Sequence, residues 1–394
     1  MLWASAADTD ASLETAIERA AEKIFIDLGR QDPDLLIVFV SEEHSARYLA
    51  VSELLHREFE NTFLFGCCAT AAIGGGQEIE DRPAVSLTGA VLPGVKFRGL
   101  HLDAAQVPPV YAEPRVWEDT LHLTANQQPS FLILADPFSF ETEVFVKGLD
   151  RVFPSSAKVG GLASGARQVG GTALYLGNQV HFSGAITLAL TGNIEIDTVV
   201  AQGCRPIGDP LFVTSAHENL VREIDGHVPR DVLANLFERL SPSDRDLFSQ
   251  TLFLGLAISK GASEYTPGDF LIRNILGMDP QSGALWVNAH VPPTSVVQFH
   301  LRDASASAID LERALTSYGS SQLAAPAVAA LLFSCAGRGA AFYGQPDHDS
   351  NAFRRLIADV PLGGCFCNGE IGPVQNATYL HGFASAFAVF RERK

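Results

Sequence analysis

Residues 328–390 read VAALLFSCAGRGAAFYGQPDHDSNAFRRLIADVPLGGCFCNGEIGPVQNATYLHGFASAFAVF. The apolar run Val328 to Phe333 is too short and too continuous for an exposed helix. It ends in Ser334-Cys335-Ala336-Gly337-Arg338-Gly339, whose glycines permit a sharp turn, so the spacing predicts a buried strand opening onto a loop. A polar turn with Pro346, Asp347, His348 and Asp349 follows. Helical spacing from Asn351 to Ile357 is then stopped by Pro361 and Gly363-Gly364. A second short strand carries Cys365, Phe366 and Cys367 into Asn368-Gly369-Glu370. Tyr379-Leu380-His381-Gly382-Phe383-Ala384 leads into an apolar, strand-like chain end.

The same order occurs twice upstream. Leu35 to Val40 is an apolar run for a strand buried on both faces, and a helix over about Ala46 to Phe59 follows. Gly66-Cys67-Cys68-Ala69-Thr70 and Gly74-Gly75-Gly76 then precede an alternating strand from Ala84 to Leu92. In the second unit, Ser130 to Asp136 is a buried strand and Thr142 to Asp150 a helix. Ala157 to Arg167 is a glycine-rich turn and Val180 to Leu188 a strand. Gly66-Cys67-Cys68-Ala69-Thr70, Gly160-Gly161-Leu162-Ala163-Ser164 and Gly364-Cys365-Phe366-Cys367-Asn368 fall in register, as do Thr88-Gly89-Ala90, Ser183-Gly184-Ala185 and His381-Gly382-Phe383. Three degenerate copies of one supersecondary unit are expected, with a period too long for a solenoid.

Ahead of the first copy, Ser12 and Gly29 bracket an amphipathic helix from Leu13 to Leu28. Between the second and third copies, Arg205 to Pro210 reads as a turn-rich crossing. A helix from Arg230 to Leu240 follows, then strands at Leu252–Ile258, Asp269–Asp279, Gly283–Val287 and Val296–Asp303 that form an antiparallel meander, and a helix over about Ser305 to Ser317. The expected fold is mixed α/β, with two domains of repeated strand-helix-strand-hairpin units and largely antiparallel mixed sheets. The expected divisions are an N-terminal helix in 1–30, one domain in 31–215 and another in 216–394.

The 394 residues carry a net charge of −17, and no Lys/Arg run interleaves with aromatics, so neither nucleic acid nor an anionic membrane surface is an expected partner. Mean hydropathy is +0.13, yet no uncharged apolar stretch is long enough for a membrane-spanning helix. The first twenty residues lack a secretory pattern, which makes a cytoplasmic protein the expectation. Six cysteines without a CxxC pair suggest reduced thiols rather than a disulfide scaffold or a zinc site of common spacing.

The blocks DFLIRNILGMDPQSGAL, VVQFHLRDA, LLFSCAGRG, GGCFCNGEIGPV and YLHGFASAFAVF, in this order, closely resemble the carboxy-terminal half of FIST (F-box and intracellular signal transduction) proteins. DLLIVFVSEEH and GCCATAAIGGGQEI resemble the amino-terminal half. A departure is Pro292-Pro293-Thr294, where the family often has a glycine. The resemblance implies a stand-alone small-ligand sensory module, with amino acids or related metabolites as suggested ligands and a signalling protein as a possible partner. It also brings two alternatives, a substrate-recruiting scaffold and a haem-based nitric oxide sensor.

Arg338 and Glu370 are the sharpest candidates for ligand binding. Each sits in a glycine turn at the carboxyl end of a strand, where open sheets place ligands. A guanidinium can hold a ligand carboxylate by two hydrogen bonds while a carboxylate receives an amine; alternatively the two residues pair with each other. Asn368, His381, Cys335, Thr70, Ser164 and Arg167 complete the candidate set, around a cleft expected between the domains. Packing is the simpler role for Cys335, Cys365 and Cys367, and a solvated loop for Asp347-His348-Asp349. Ser164 misses the GxSxG elbow by one place, so no catalytic residue is assigned. No cofactor or metal is expected; for the haem alternative the strand histidines are His44, His181, His300 and His381.

Overall fold

The computed structural model describes residues 1–259, 264–265, 268–321 and 325–393. The expected elements at the copies are present in outline, in three six-stranded sheets, but the strand expected over Val180 to Leu188 is split between Gln179–His181 and Ala185–Gly192 in different sheets, and Ala46 to Ala50 of the first expected helix lies in the 3-10 segment Glu42–Ala50. In spatial order the first holds Leu2–Asp8, Val85–Val91, Leu35–Ser41, Phe63–Ala69, Leu174–Leu176 and Gln179–His181. The second holds Ala377–His381, Glu370–Val374, Lys158–Leu162, Ser130–Ala135, Ala185–Gly192 and Val95–Leu102. The third holds Glu195–Gln202, Ala384–Arg391, Ala327–Cys335, Leu362–Cys367, Ala72–Gly74 and Gln77–Ile79. In each sheet four strands are completed by a short hairpin from elsewhere in the chain. The hairpin of the first segment joins the third sheet, that of the second joins the first, and that of the third joins the second.

The strand pairs Leu35–Ser41 with Phe63–Ala69, Ser130–Ala135 with Lys158–Leu162, and Ala327–Cys335 with Leu362–Cys367 are parallel. Parallel neighbours need a crossover, and helices supply it: Val51–Glu58, Thr142–Val152 and His348–Leu356 respectively. Leu35–Ser41, Ser130–Ala135 and Ala384–Arg391 are buried at every position, which explains their largely apolar character.

Ser12 caps the helix Leu13–Asp27, whose buried face is Leu13, Ala16, Ile17, Ala20, Ala21 and Ile24. The segment before it is a strand, Leu2–Asp8, paired with Val85–Val91, and Trp3 stacks on Phe390 with ring centroids 4.5 Å apart. The expectation that the chain turns directly into a helix is thereby corrected. Small residues at Ala4, Ser5, Ala6 and Ala7 gave the strand little hydrophobic signature.

Two compact units result. One comprises residues 1–200, 311–380 and 384–394; the other comprises 201–310 and 381–383. The compact units therefore do not follow the expected division at 215/216. Apart from residues 381–383, the second unit is one stretch of chain that starts within the Glu195–Gln202 strand and ends within the Ala304–Gly319 helix.

The expected meander in the second unit closes into a barrel, in the order Cys204–His217, Leu220–Ile224, Leu285–Val287, Phe270–Met278, Leu252–Ala257 and Val296–Arg302. The crossing anticipated at Arg205 to Pro210 lies inside the long closing strand Cys204–His217. Register shifts between Ile207 and Leu211, and the intervening Gly208-Asp209-Pro210 forms a bulge that accommodates the proline and the left-handed Gly208. Ile207, Val213, Leu254, Leu285, Val297 and Phe299 are part of the barrel core. Among the described residues, no helix is long and apolar enough to cross a membrane.

Candidate functional site

Three equivalent glycines sit inside strands of the first unit, Gly66 in Phe63–Ala69, Gly160 in Lys158–Leu162 and Gly364 in Leu362–Cys367. Gly66, Gly160 and Gly364 each face the backbone of the parallel neighbour, and a Cβ there would stand 1.8, 1.8 and 1.9 Å from the carbonyl oxygens of Val38, Ile133 and Leu332. No side chain fits in that space. Four residues on, the three strands deliver Thr70, Ser164 and Asn368 to one junction. Thr70 N–H donates to Ser164 Oγ at 2.8 Å, Ser164 Oγ donates to the Phe366 carbonyl, and Asn368 Nδ2 donates to the Ala163 carbonyl at 3.4 Å. The structure thus brings these three predicted residues together. The Ser164 hydroxyl, however, is fully buried and engaged in turn-to-turn hydrogen bonds. Arg167 lies exposed on the following loop.

The packing role expected of the cysteines also holds at this junction. Cys365 Sγ and Cys367 Sγ are 3.6 Å apart, and Cys367 Sγ occupies the space beside Gly161, 2.4 Å from where a Cβ would lie. Burial pushes the Cys365 and Cys367 thiols upward. None of the six cysteines forms a disulfide, and Cys204 is the only one of them not buried.

Arg338 is 1% exposed and pairs with Asp349 rather than Glu370. Nε donates to Oδ2 at 2.9 Å and Nη2 to Oδ1 at 3.2 Å. Asp349 is also 1% exposed, so Asp347-His348-Asp349 is not the solvated loop its composition suggested. His348 begins the helix His348–Leu356, and its Nδ1 lies 2.8 Å from Asp349 Oδ1. Ser334 Oγ donates to Asp349 Oδ2 at 3.3 Å, and Ser385 Oγ donates to the same oxygen. Burial opposes charge on Asp349, but the Arg338 guanidinium and these hydrogen bonds hold its carboxyl well below the usual range. His348 stacks on Tyr343 at 3.6 Å and 8°, and the Arg338 guanidinium lies 5.4 Å from the Tyr343 ring centroid.

The hairpin that joins the third sheet reaches this cluster. Glu78 Oε1 accepts from Ser350 N–H at 2.7 Å, and Asp347 Oδ1 accepts from Glu78 N–H at 2.6 Å. Glu80 Oε1 accepts from Ala340 N–H at 2.9 Å. The Glu78 and Glu80 carboxyls therefore meet the starts of the segments Ala340–Tyr343 and His348–Leu356. Burial, with Asp349 nearby, pushes the Glu78 carboxyl up to about 8.

Glu370 is fully buried. Its Oε2 accepts from Ala384 N–H at 3.0 Å, whereas its Oε1 has no hydrogen-bond partner. Burial raises its carboxyl well above the ordinary range, while the Ala384 hydrogen bond, the Arg338 charge and the Cys335 thiol oppose that shift. Cys335 ends the strand Ala327–Cys335 and is buried. The remaining predicted residue, His381, is also buried, but it belongs to the second compact unit.

Sequence reading missed Asp349, His348, Glu78 and Ser385. The available signal was local: an Asp beside a His at a helix start, eleven residues after an arginine in a glycine turn. Among the haem alternatives, His44 and His300 are buried, and His181 stacks on His101 at 3.8 Å. Among the described residues, no group of three or more His, Cys, Asp or Glu is arranged to hold a metal ion. A groove of about 1060 Å³ in the first unit is lined by Gln128, Ser155, Glu195, Asp197, Tyr318 and Arg393, and it includes none of the predicted site residues.

The FIST N domain matches residues 34–227 and the FIST C domain residues 229–373. An uncharacterized protein of Mycobacterium tuberculosis is 33% identical over 387 residues, covering 97% of both chains. An uncharacterized protein of Mycobacterium bovis is 33% identical over 377 residues, covering 96% of this chain and 95% of that one. The crystal structure of cyanuric acid hydrolase from A. caulinodans aligns over 100% of this chain and 99% of that chain, at 9% identity and a TM-score of 0.38, a likeness that carries no argument here. By its two matched domains and its full-length relatives, the chain belongs to the FIST family of signal-transduction sensory domains.

Proposed function

We propose that this FIST protein is a cytoplasmic sensor that binds a small ligand, an amino acid or related metabolite, at the polar cluster of Glu370, Arg338, Asp349 and His348. The observation that carries this reading is Glu370 Oε1, a fully buried acceptor atom without a partner. Buried polar atoms are nearly always hydrogen-bonded, so an orphan among charged neighbours marks a position for an absent group. Perturbed carboxyls at Glu78, Asp349 and Glu370 add to the case. The three hairpin-completed sheets support a reading as three copies of one unit, with this chemistry confined to the third. Thermal-shift screening against amino acids and related metabolites tests the proposal. A stabilising ligand that loses its effect on Glu370→Gln supports it, and a silent panel counts against it.

Recruitment of a signalling protein is a second reading, favoured by the exposed Leu276, Met278 and Trp286 on the neighbouring strands Phe270–Met278 and Leu285–Val287 of the barrel. A Leu276→Ser/Trp286→Ser variant that keeps ligand-induced stabilisation but loses signalling output supports it. Unchanged output counts against it.

A further inference from the structure

We infer that the groove of about 1060 Å³ in the first unit docks an extended, proline-free peptide segment of another protein, which adds to the third sheet along the open edge of the strand Glu195–Gln202. The inference goes beyond the ligand-binding reading and shares no residue with it.

Glu195–Gln202 is the edge strand of the third sheet: Ala384–Arg391 lies on one side, and among the described residues no strand lies on the other. Glu195, Ile196, Asp197 and Thr198 all line the groove. Side chains of a strand alternate between its faces, so a groove over one face would be lined by every second residue. Lining by consecutive residues places this groove along the edge. Gln202 N–H donates to the Asp310 side chain at 2.7 Å rather than to a strand, so it faces the open side. The N–H and C=O of one residue share a side, and the sides alternate along a strand. Ile196 and Thr198 therefore turn theirs the same way as Gln202, into the groove.

Unpaired edges are ordinarily blunted by lysine, by proline or by cover. The corresponding edge of the second sheet, Val95–Leu102, carries the exposed Lys96 and Arg98, and that of the first, Leu2–Asp8, is buried from Trp3 to Ala6. Glu195–Gln202 reads EIDTVVAQ, with neither lysine nor proline and with the β-branched Ile196, Thr198, Val199 and Val200. Its acids are tied down: Arg391 pairs with both Glu195 and Asp197, and Tyr318 Oη donates to Asp197 at 2.7 Å.

The rest of the lining decides what can enter. Residues 125–130 and 153–157, which lead into two strands of the second sheet, wall the same space. A walled edge admits one extended chain at the usual strand spacing of about 4.8 Å, but not the sheet of a second copy. Charges at the groove balance, Glu195 and Asp197 against Arg391 and Arg393. Recognition therefore rests on main-chain hydrogen bonds to Ile196 and Thr198, and on β-branched peptide side chains packed beside them.

The test is fluorescence anisotropy of the full chain with a short fluorescein-labelled peptide of alternating threonine and valine, and with the same peptide N-methylated on alternate residues. The first should bind, and the second about tenfold more weakly or worse, because it lacks half of the edge donors. Affinity should change by no more than about twofold between low and high salt. Ser155→Trp, which fills the groove, and Thr198→Pro, which removes an edge N–H, should each weaken binding about tenfold or more, whereas Thr198→Val should retain it. Circular dichroism confirms that each variant is folded; should Thr198→Pro fail to fold, Ser155→Trp decides. Equal binding of the two peptides, full retention in folded Ser155→Trp, or no binding to the wild type overturns the inference. So does a dimer in light scattering that Ser155→Trp dissociates, since a second copy would then occupy the edge. None of these outcomes bears on the Glu370 site, which the metabolite panel tests separately.

Discussion

Arg338 and Asp349, both 1% exposed, face each other through two hydrogen bonds of 2.9 and 3.2 Å. The pair joins the turn after the Ala327–Cys335 strand to the helix His348–Leu356. Removing one partner strands the other charge in the interior. Arg338→Met and Asp349→Asn should each lower stability in urea denaturation by about 3–5 kcal/mol. The double replacement Arg338→Met/Asp349→Leu should cost less than the sum of its singles, because it leaves no unpaired charge.

Glu78 predicts a pH dependence. Its carboxyl is raised to about 8 in the folded chain, so the folded state keeps a proton that the unfolded chain has lost. The associated stability is fully present below the ordinary Glu range near 4.3 and is lost as pH rises through about 8. The loss should be on the order of a few kcal/mol across that window. Glu370 acts in the same direction, whereas Asp349, held low, contributes stability that disappears only in strong acid. Urea midpoints measured between pH 5 and 9 should fall for the wild type and fall less steeply in Glu78→Gln, where Glu370 still contributes.

Gly160→Ala and Gly364→Ala place a methyl group 1.8 and 1.9 Å from a neighbouring carbonyl oxygen, at φ of +155° and +145°. Each should destabilise by on the order of 3 kcal/mol or more, since the sheet has to open to admit it. Gly170→Ala has nothing within 4 Å and pays only for its left-handed φ of +76°. Its cost should be about 1–2 kcal/mol. Thermal melts of the three variants give the comparison.

Thiol chemistry should single out Cys204. It is half-buried, whereas Cys365 and Cys367 are enclosed and their thiols are pushed upward. Native protein treated with a thiol-specific chromogenic reagent should label Cys204 first, with Cys365 and Cys367 reacting only on unfolding. Mass mapping of the labelled peptides checks the order.

Periodicity made the buried strands legible, because Leu35 to Val40 and Phe131 to Ala135 are apolar throughout when both faces are covered. The three strand glycines were legible for a similar reason: Gly66, Gly160 and Gly364 answer one local backbone approach. What lay beyond the sequence was long-range. Nothing in Ala72 to Ile79 indicates that this hairpin completes a sheet with residues near 365, or that Glu78 meets Ser350 across 272 positions. The Leu2–Asp8 strand was hidden by small residues that pack without a strong apolar signature. Arg338 lies in the turn after Ala327–Cys335, as read, whereas Glu370 opens the strand Glu370–Val374, and spacing could not reveal that Asp349, in a segment rich in polar residues, would take the guanidinium first.

The central claim is that Glu370 receives a ligand, and its most direct measurement is the thermal shift of wild type and Glu370→Gln against one metabolite panel. The account predicts that at least one compound stabilises the wild type, by about 2.7 kcal/mol at a hundredfold excess over Kd, and leaves folded Glu370→Gln unmoved. Equal stabilisation of both proteins, or of neither, would contradict it.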